Sequence, residues 1–246
     1  MHRHITRLKT LACGTLLGAV ALLSAPAHAS LATFDSSPLT AYNHGEKFQD
    51  GGLTFSTNMS AALLALGYTD GAAGVMLDSA NPNSCGAIND CPSGGIGNFY
   101  GGTNDGSINV QRLGSTYSLR SLRFSYFTPL GGADDGFYGQ LVLKATTADG
   151  TVVTRSADFA NQDNDGHFQF STWVLDNDFA ALKLSDLNIS ACLFDGNGGC
   201  FNTADWAPFA AQFAIDDLDV ELPLPGSAPL LLLGLAGLAA LRRRAN

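Results

Sequence analysis

The 246-residue chain predicts an all-β fold, an antiparallel β-sandwich or jelly roll, from three observations. Apolar and polar residues alternate over short runs, the period-two pattern of half-buried strands. Glycine, asparagine and aspartate separate those runs as turn residues. Aspartate outnumbers glutamate 20 to 2, and aspartate is poor in helices and favoured in turns. Many short strands joined this way suit two packed sheets.

The chain begins with a predicted signal peptide, residues 1–29. His2, Arg3, His4, Arg7 and Lys9 form a basic start, and residues 11–23 form an apolar stretch of signal-peptide length. Ala27-His28-Ala29 is a small-x-small cleavage site, which puts the cut between Ala29 and Ser30. Cys13 precedes the apolar stretch instead of following it, which argues against a lipid anchor.

Residues 30–221 form the predicted sandwich. Strands are expected around 32–35, 53–57 and 107–113, with residues 61–66 readable as a short helix or a buried strand. Leu122, Phe124 and Tyr126 share one strand face, and Leu141, Leu143 and Ala145 share another. Ala148-Asp149-Gly150 is a hairpin turn before Thr151-Val152-Val153-Thr154. Phe168 and Phe170 alternate with His167 and Gln169, and Leu187, Ile189, Ala191 and Leu193 with Asn188 and Ser190. Residues 81–106 read as a long loop, glycine-rich and carrying two cysteines. The last strand slips phase: Phe213 and Ile215 share one parity, Leu218 and Val220 the other. A β-bulge at Asp216-Asp217 would keep all four on the core face and re-aim the two aspartates.

Residues 222–246 form a predicted tail. Pro223-Leu224-Pro225-Gly226 is followed by an apolar run to residue 241 and then by Arg242-Arg243-Arg244. Residues 222–241 together just cover a bilayer core as one transmembrane helix, and the arginines place its end in the cytoplasm.

Composition bounds the body. All 22 acidic residues lie in it, with 7 of the 13 basic ones, a net charge of −15 with histidines neutral. That balance excludes nucleic acid as a partner bound by charge. The four cysteines of the body, Cys85, Cys91, Cys192 and Cys200, suit disulfides in an exported chain. Three pairings exist, and the simplest joins Cys85 to Cys91 and Cys192 to Cys200. A zinc site with His44 or His167 is the alternative, without the usual Cys-x-x-Cys spacing.

Residues 161–166 place oxygen donors, Asp163 and Asp165 among them, as in half a calcium loop, but Thr172 stands where the bidentate glutamate belongs. The competing reading is an acidic turn. Asp195 to Gly199 reads as a flexible turn. Phe99, Tyr100, Tyr126, Tyr138, Trp173 and Trp206 are candidates for a sugar-stacking platform or for core. The chain has no Gly-x-Ser-x-Gly elbow, His-Glu-x-x-His pair, phosphate loop or dinucleotide fingerprint, so no catalytic residue is predicted.

The tail motif, apolar helix and arginine cluster together resemble the PEP-CTERM sorting signal of Gram-negative bacteria, in a variant that lacks the glutamate. The resemblance implies export across the inner membrane, a transient membrane anchor, cleavage by an exosortase-type enzyme, and delivery to the cell surface or its polysaccharide matrix. Phe213-Ala-Ile-Asp-Asp-Leu218, with an opening strand ending Thr33-Phe34-Asp35, is similar to the outer strands of galactose-binding-like jelly rolls. That likeness implies a structural calcium held by Asp35, Asp216 and Asp217. The expected function is a non-enzymatic surface or matrix protein that binds extracellular polysaccharide. A polysaccharide-active enzyme of glycoside hydrolase type, or a purely structural envelope protein, is the alternative.

Overall fold

A computed structural model describes residues 28–69, 71–85, 91–127, 138–202 and 209–223. The described chain lies in one compact unit, His28–Pro223. The strands, in chain order, are β1 His28–Ala32, β2 Ala41–Tyr42, β3 Lys47–Asp50, β4 Leu53–Asn58, β5 Gly74–Asp78, β6 Asn98–Gly102, β7 Ser107–Gln111, β8 Ser118–Tyr126, β9 Gly139–Thr147, β10 Val152–Asp158, β11 Ser171–Val174, β12 Leu184–Phe194, β13 Cys200–Phe201 and β14 Phe213–Leu222. Two short helices join them, α1 Ala61–Ala65 and α2 Asn177–Ala180.

The strands form two seven-stranded antiparallel sheets packed as a sandwich. The first runs β11-β8-β14-β6-β5-β2, with β1 also on β14; the second runs β10-β9-β12-β7-β4-β3, with β13 on β12. Alternation puts Phe55, Ile108, Val110, Leu141, Leu143, Leu187 and Ile189 of the second sheet against Tyr100, Leu122, Phe124, Tyr126, Phe213 and Ile215 of the first. Each such side chain contributes about 1.5–3 kcal/mol on burial, and together they hold the two layers.

Several elements match the sequence pattern. β9 and β10 pair through the turn at Asp149, whose Oδ1 accepts from the Thr151 N–H at 3.1 Å while Gly150 takes φ +86°. The stretch 61–66 is helical: Ser60 caps α1 by accepting from the Ala62 N–H, and Leu63 is buried. β14 carries the expected register shift after Asp216, and Phe213, Ile215, Leu218 and Val220 are all fully buried. Both local disulfides are present, Cys85–Cys91 and Cys192–Cys200.

Four expectations are corrected. The opening strand ends at Ala32, not Asp35; the chain then turns, with Phe34 at φ +60° and the Ser37 N–H donating to its carbonyl. The turn still drives the Phe34 ring into the core. The sandwich is longer at both ends than 30–221, because β1 starts at His28 and pairs with β14 out to Leu222. Phe168 and Phe170 do not lie on a strand: Phe168 and Gln169 form isolated bridges, and the two rings enter different cores. Finally, 81–106 is not one loop, since it contains β6, a central strand paired to both β5 and β14.

β5 and β6 were hidden because they do not alternate. Gly74, Val75, Met76 and Leu77 are all buried, as are Phe99, Tyr100, Gly101 and Gly102. Met76 and Tyr100 face the main core, while Val75, Leu77 and Phe99 join Phe127, Ala214 and Cys85 in a second core on the outer side of the first sheet. The glycines that read as loop are packing sites. A Cβ on Gly74 would meet the Tyr100 hydroxyl at 2.0 Å and its ring at 2.3 Å, and one on Gly102 the Phe213 ring at 2.4 Å.

Among the described residues no helix is long and apolar enough to cross a membrane. The predicted membrane run, from Leu224 on, the sorting residues Pro225, Gly226 and Arg242 to Arg244, and the apolar stretch of the signal peptide lie outside them.

Candidate functional site

The two sheets present different outer faces, and each gathers predicted site residues. On the first sheet, β14 changes partner along one edge. Its residues 213–215 pair with β6 and its residues 218–222 with β1. The bulge at Asp216-Asp217 fills the junction, and Asp217 takes φ +48° to make it. The turn after β1 brings Asp35 to the same place, where its Oδ1 accepts from the Asn98 N–H at 2.9 Å. Asp216 and Asp217 adjoin in the bulge, and Asp35 lies near enough for its charge to act on Asp216.

It missed Arg123 on β8. The guanidinium lies 3.7 Å from Asp216 Oδ2 and 3.5 Å from Asp217 Oδ2. It also donates to the Gly94 carbonyl and sits over the Phe170 ring, 5.3 Å from its centroid. Only a three-dimensional register places Arg123 opposite Asp216. Asp216 has a side chain 1 % exposed, and its Oδ2 accepts no hydrogen bond. Burial first, and then the Asp217 charge, push its carboxyl up to about 7.

These residues do not build a calcium cage, which takes six to eight oxygens at 2.3–2.6 Å. Arg123 already supplies the positive charge between the two aspartates. Among the described residues no three carboxylate, imidazole or thiolate groups converge on a point that could hold a metal ion. Nor do they form a glycosidase pair. Asp216 has the raised proton affinity of a general acid, but its near-complete burial closes it to a glycosidic oxygen.

The remaining candidates resolve into structure. Asp163 Oδ1 accepts from the Asp165 and His167 N–H groups at 2.9 and 3.0 Å. With a further bond from the Ser93 side chain, these hold its carboxyl below the usual range, so the half calcium loop is a closed acidic turn. Asp195 accepts from Asn197 and Gly199 in the same way. All four body cysteines are oxidised and His44 Nδ1 accepts from the Met59 N–H, which removes the zinc alternative. Phe99, Tyr100 and Tyr126 are buried, and Tyr138 and Trp173 pack against the core, so they form no stacking platform. Trp206 lies outside the described residues.

The outer face of the second sheet is open and polar. Strand register aligns Ser56, Asn109, Asn188 and Lys144 in one row across β4, β7, β12 and β9. Asn58, Ser107, Ser190 and Val142 form the next row. Side-chain bonds tie the rows together. Asn109 Oδ1 accepts from both Asn58 Nδ2 and Asn188 Nδ2 at 3.0 Å, and Asn109 Nδ2 donates to Asp186 Oδ2 at 2.8 Å. Asn188 Nδ2 also donates to Ser107 Oγ at 2.9 Å. At one end of this lattice lies a groove of about 460 Å³, lined among others by Ser60, Asp105, Ser107, Asn188, Ser190 and Asn202. Alternation predicts that these side chains face outward; nothing in the pattern says that they bond to one another.

No protein-family model matches the chain, and no curated protein matches it. It is similar in structure to a DUF4465 family protein from Bacteroides caccae, at 11% identity and a TM-score of 0.47, over 80% of this chain and 100% of that one. It is also similar to the arabinose-bound α-L-arabinofuranosidase MgGH51, at 9% identity and a TM-score of 0.36, over 80% of this chain and 27% of that one.

Proposed function

We propose that the chain is an exported, non-enzymatic protein of the cell surface or extracellular matrix, a jelly-roll sandwich that binds polysaccharide. The observation that carries this reading is the open lattice of amides and hydroxyls on the second sheet, leading into a groove of mixed polar and apolar lining. Two disulfides suit an oxidising compartment, extracellular or periplasmic. The terminal segments supply the route: a signal peptide cut between Ala29 and Ser30, and a PEP-CTERM-like tail removed by an exosortase-type enzyme after a transient stay in the membrane.

The fold adds an order to these steps. Ala29 and Ser30 both pair with β14, opposite Glu221 and Val220. A peptidase needs that stretch extended and unpaired, so the cut precedes the docking of β1.

Two experiments test the reading. Mass spectrometry of the protein from its native cells is expected to find Ser30 at the start and Arg242, Arg243 and Arg244 missing from the end. Retention of the arginines on protein outside the cell would refute the sorting step. A glycan array is expected to show binding; silence on every neutral and acidic glycan would leave a purely structural envelope protein.

A further inference from the structure

We infer that the groove over Ser107, Asn188 and Ser190 takes an uncharged glycan, held by hydrogen bonds. The inference rests on the polysaccharide reading above and narrows it to one face and one ligand class.

The first argument is charge. Among the described residues the one carboxylate lining the groove is Asp105, which is 2 % exposed and committed to the backbone. Its two oxygens accept from the Phe209 and Ala211 N–H groups at 2.6 and 2.7 Å. Lys144 neighbours Asn188 across β9 but does not line the groove. A uronate or sulfate would find no cation there to pair with, and it would meet a body of net charge −15.

The second argument is the kind of polar group. Asn188 spends its amide N–H bonds on Ser107 and Asn109, which fixes its plane and leaves Oδ1 as an acceptor. Ser107 accepts from Asn188, which leaves its hydroxyl proton for a ligand. Ser190 lies beside Ser107 on the next strand. Acceptor, donor and hydroxyl side by side match a ligand whose own groups both donate and accept, as sugar hydroxyls do.

The third argument is rigidity. Neighbouring strands stand about 4.8 Å apart, and every second residue along a strand about 6.8 Å apart, so the lattice is regular. Its cross-strand bonds fix the side chains before a ligand arrives, which lowers the ordering cost of binding. Among the described residues no aromatic side chain lines the groove, so hydrogen bonds carry the argument there.

The test uses the full chain, expressed with its own leader and recovered from the envelope or medium. Its binding to dextran, laminarin, mannan and galactan is compared with its binding to alginate and polygalacturonate, at 50 and 500 mM salt. The expected result is binding to at least one neutral polymer, changed less than about 2-fold by salt and weakened at least about 10-fold in Asn188→Ala. Ser190→Phe, which fills the groove without removing an amide, should abolish the same binding; urea midpoints show that both variants fold. Binding confined to the acidic polymers, or an Asn188→Ala affinity equal to wild type, would overturn the inference and leave the polysaccharide reading intact. Silence on all six polymers would remove both.

Discussion

The outer face of the first sheet is covered over β5, β6 and the start of β14, and that of the second is open, although the two sheets have seven strands each. Over the first, the Cys85–Cys91 disulfide joins Phe127 and Phe170 to bury Val75, Leu77, Phe99 and Ala214. Over the second, Asn58, Asn109, Asn188 and their serine neighbours stay partly exposed. The covered face sets Gly101 under the Phe127 ring and buries Asp216 beside Arg123. The open face carries groups that water or a ligand can satisfy. A face that is fully sealed serves stability, and a face that is ordered but exposed is available for recognition.

The comparison predicts unequal costs of mutation. Phe99→Ala should be the most damaging. It removes a fully buried ring set edge-on to Phe127 and Phe170, and a loss of about 3–5 kcal/mol is expected in urea unfolding. A loss under about 1 kcal/mol would mean that the cover is not part of the folded core.

Asp216 should give the next largest effect, read through pH. Its carboxyl is near 7 in the fold against an ordinary 3.8, so between those values the folded chain holds a proton that the unfolded chain has lost. Stability therefore falls as pH rises from 4 to 8, by on the order of 4 kcal/mol if Asp216 acts alone. Asp149, Asp163, Asp176 and Asp195 are held below the usual range. Their stabilisation is complete above pH 5 and is lost only in acid. In Asp216→Asn the decline should vanish, and at pH 8 the variant should be more stable than wild type. An unchanged slope in urea titrations at pH 5, 7 and 8 would show that Asp216 is already charged in the fold.

Opening the disulfide in Cys85→Ala with Cys91→Ala should cost about 2 kcal/mol, because the loop it closes spans only a separation of 6 residues. The loss should loosen the cover while the sandwich persists, visible as faster hydrogen exchange in β5 and β6. Asn109→Ala on the open face should cost least, about 1 kcal/mol or less, since water replaces its partners. A loss of more than about 2 kcal/mol would show that the lattice supports the fold and is not merely presented by it.

Much of this was legible along the chain. β9, β10, β12 and the bulge in β14 follow from alternation, and the turns at Asp149, Asp163 and Asp195 from side chains that bond to nearby backbone. The resemblance of the end strands named Asp35, Asp216 and Asp217 as calcium ligands, but it did not reveal that Arg123 stands beside the two bulge aspartates. β5 and β6 were not legible, because a strand buried on both faces loses its period and the small residues beneath Tyr100 and Phe213 look like loop. Arg123 was not legible either, since a lone arginine on a strand names no partner until register sets one opposite it.

The sequence by itself determined the sandwich class and the polarity of the strand faces, both of which arise from a simple period, and it left three disulfide pairings open. Only the tertiary structure decided which outer face is covered and which is open. That outcome depends on where 91–97 and 167–170 cross the first sheet, on Arg123 meeting Asp216 from 93 positions away, and on three asparagines from three strands coming into line. Such long-range juxtapositions follow from packing the two layers, and no local pattern encodes them.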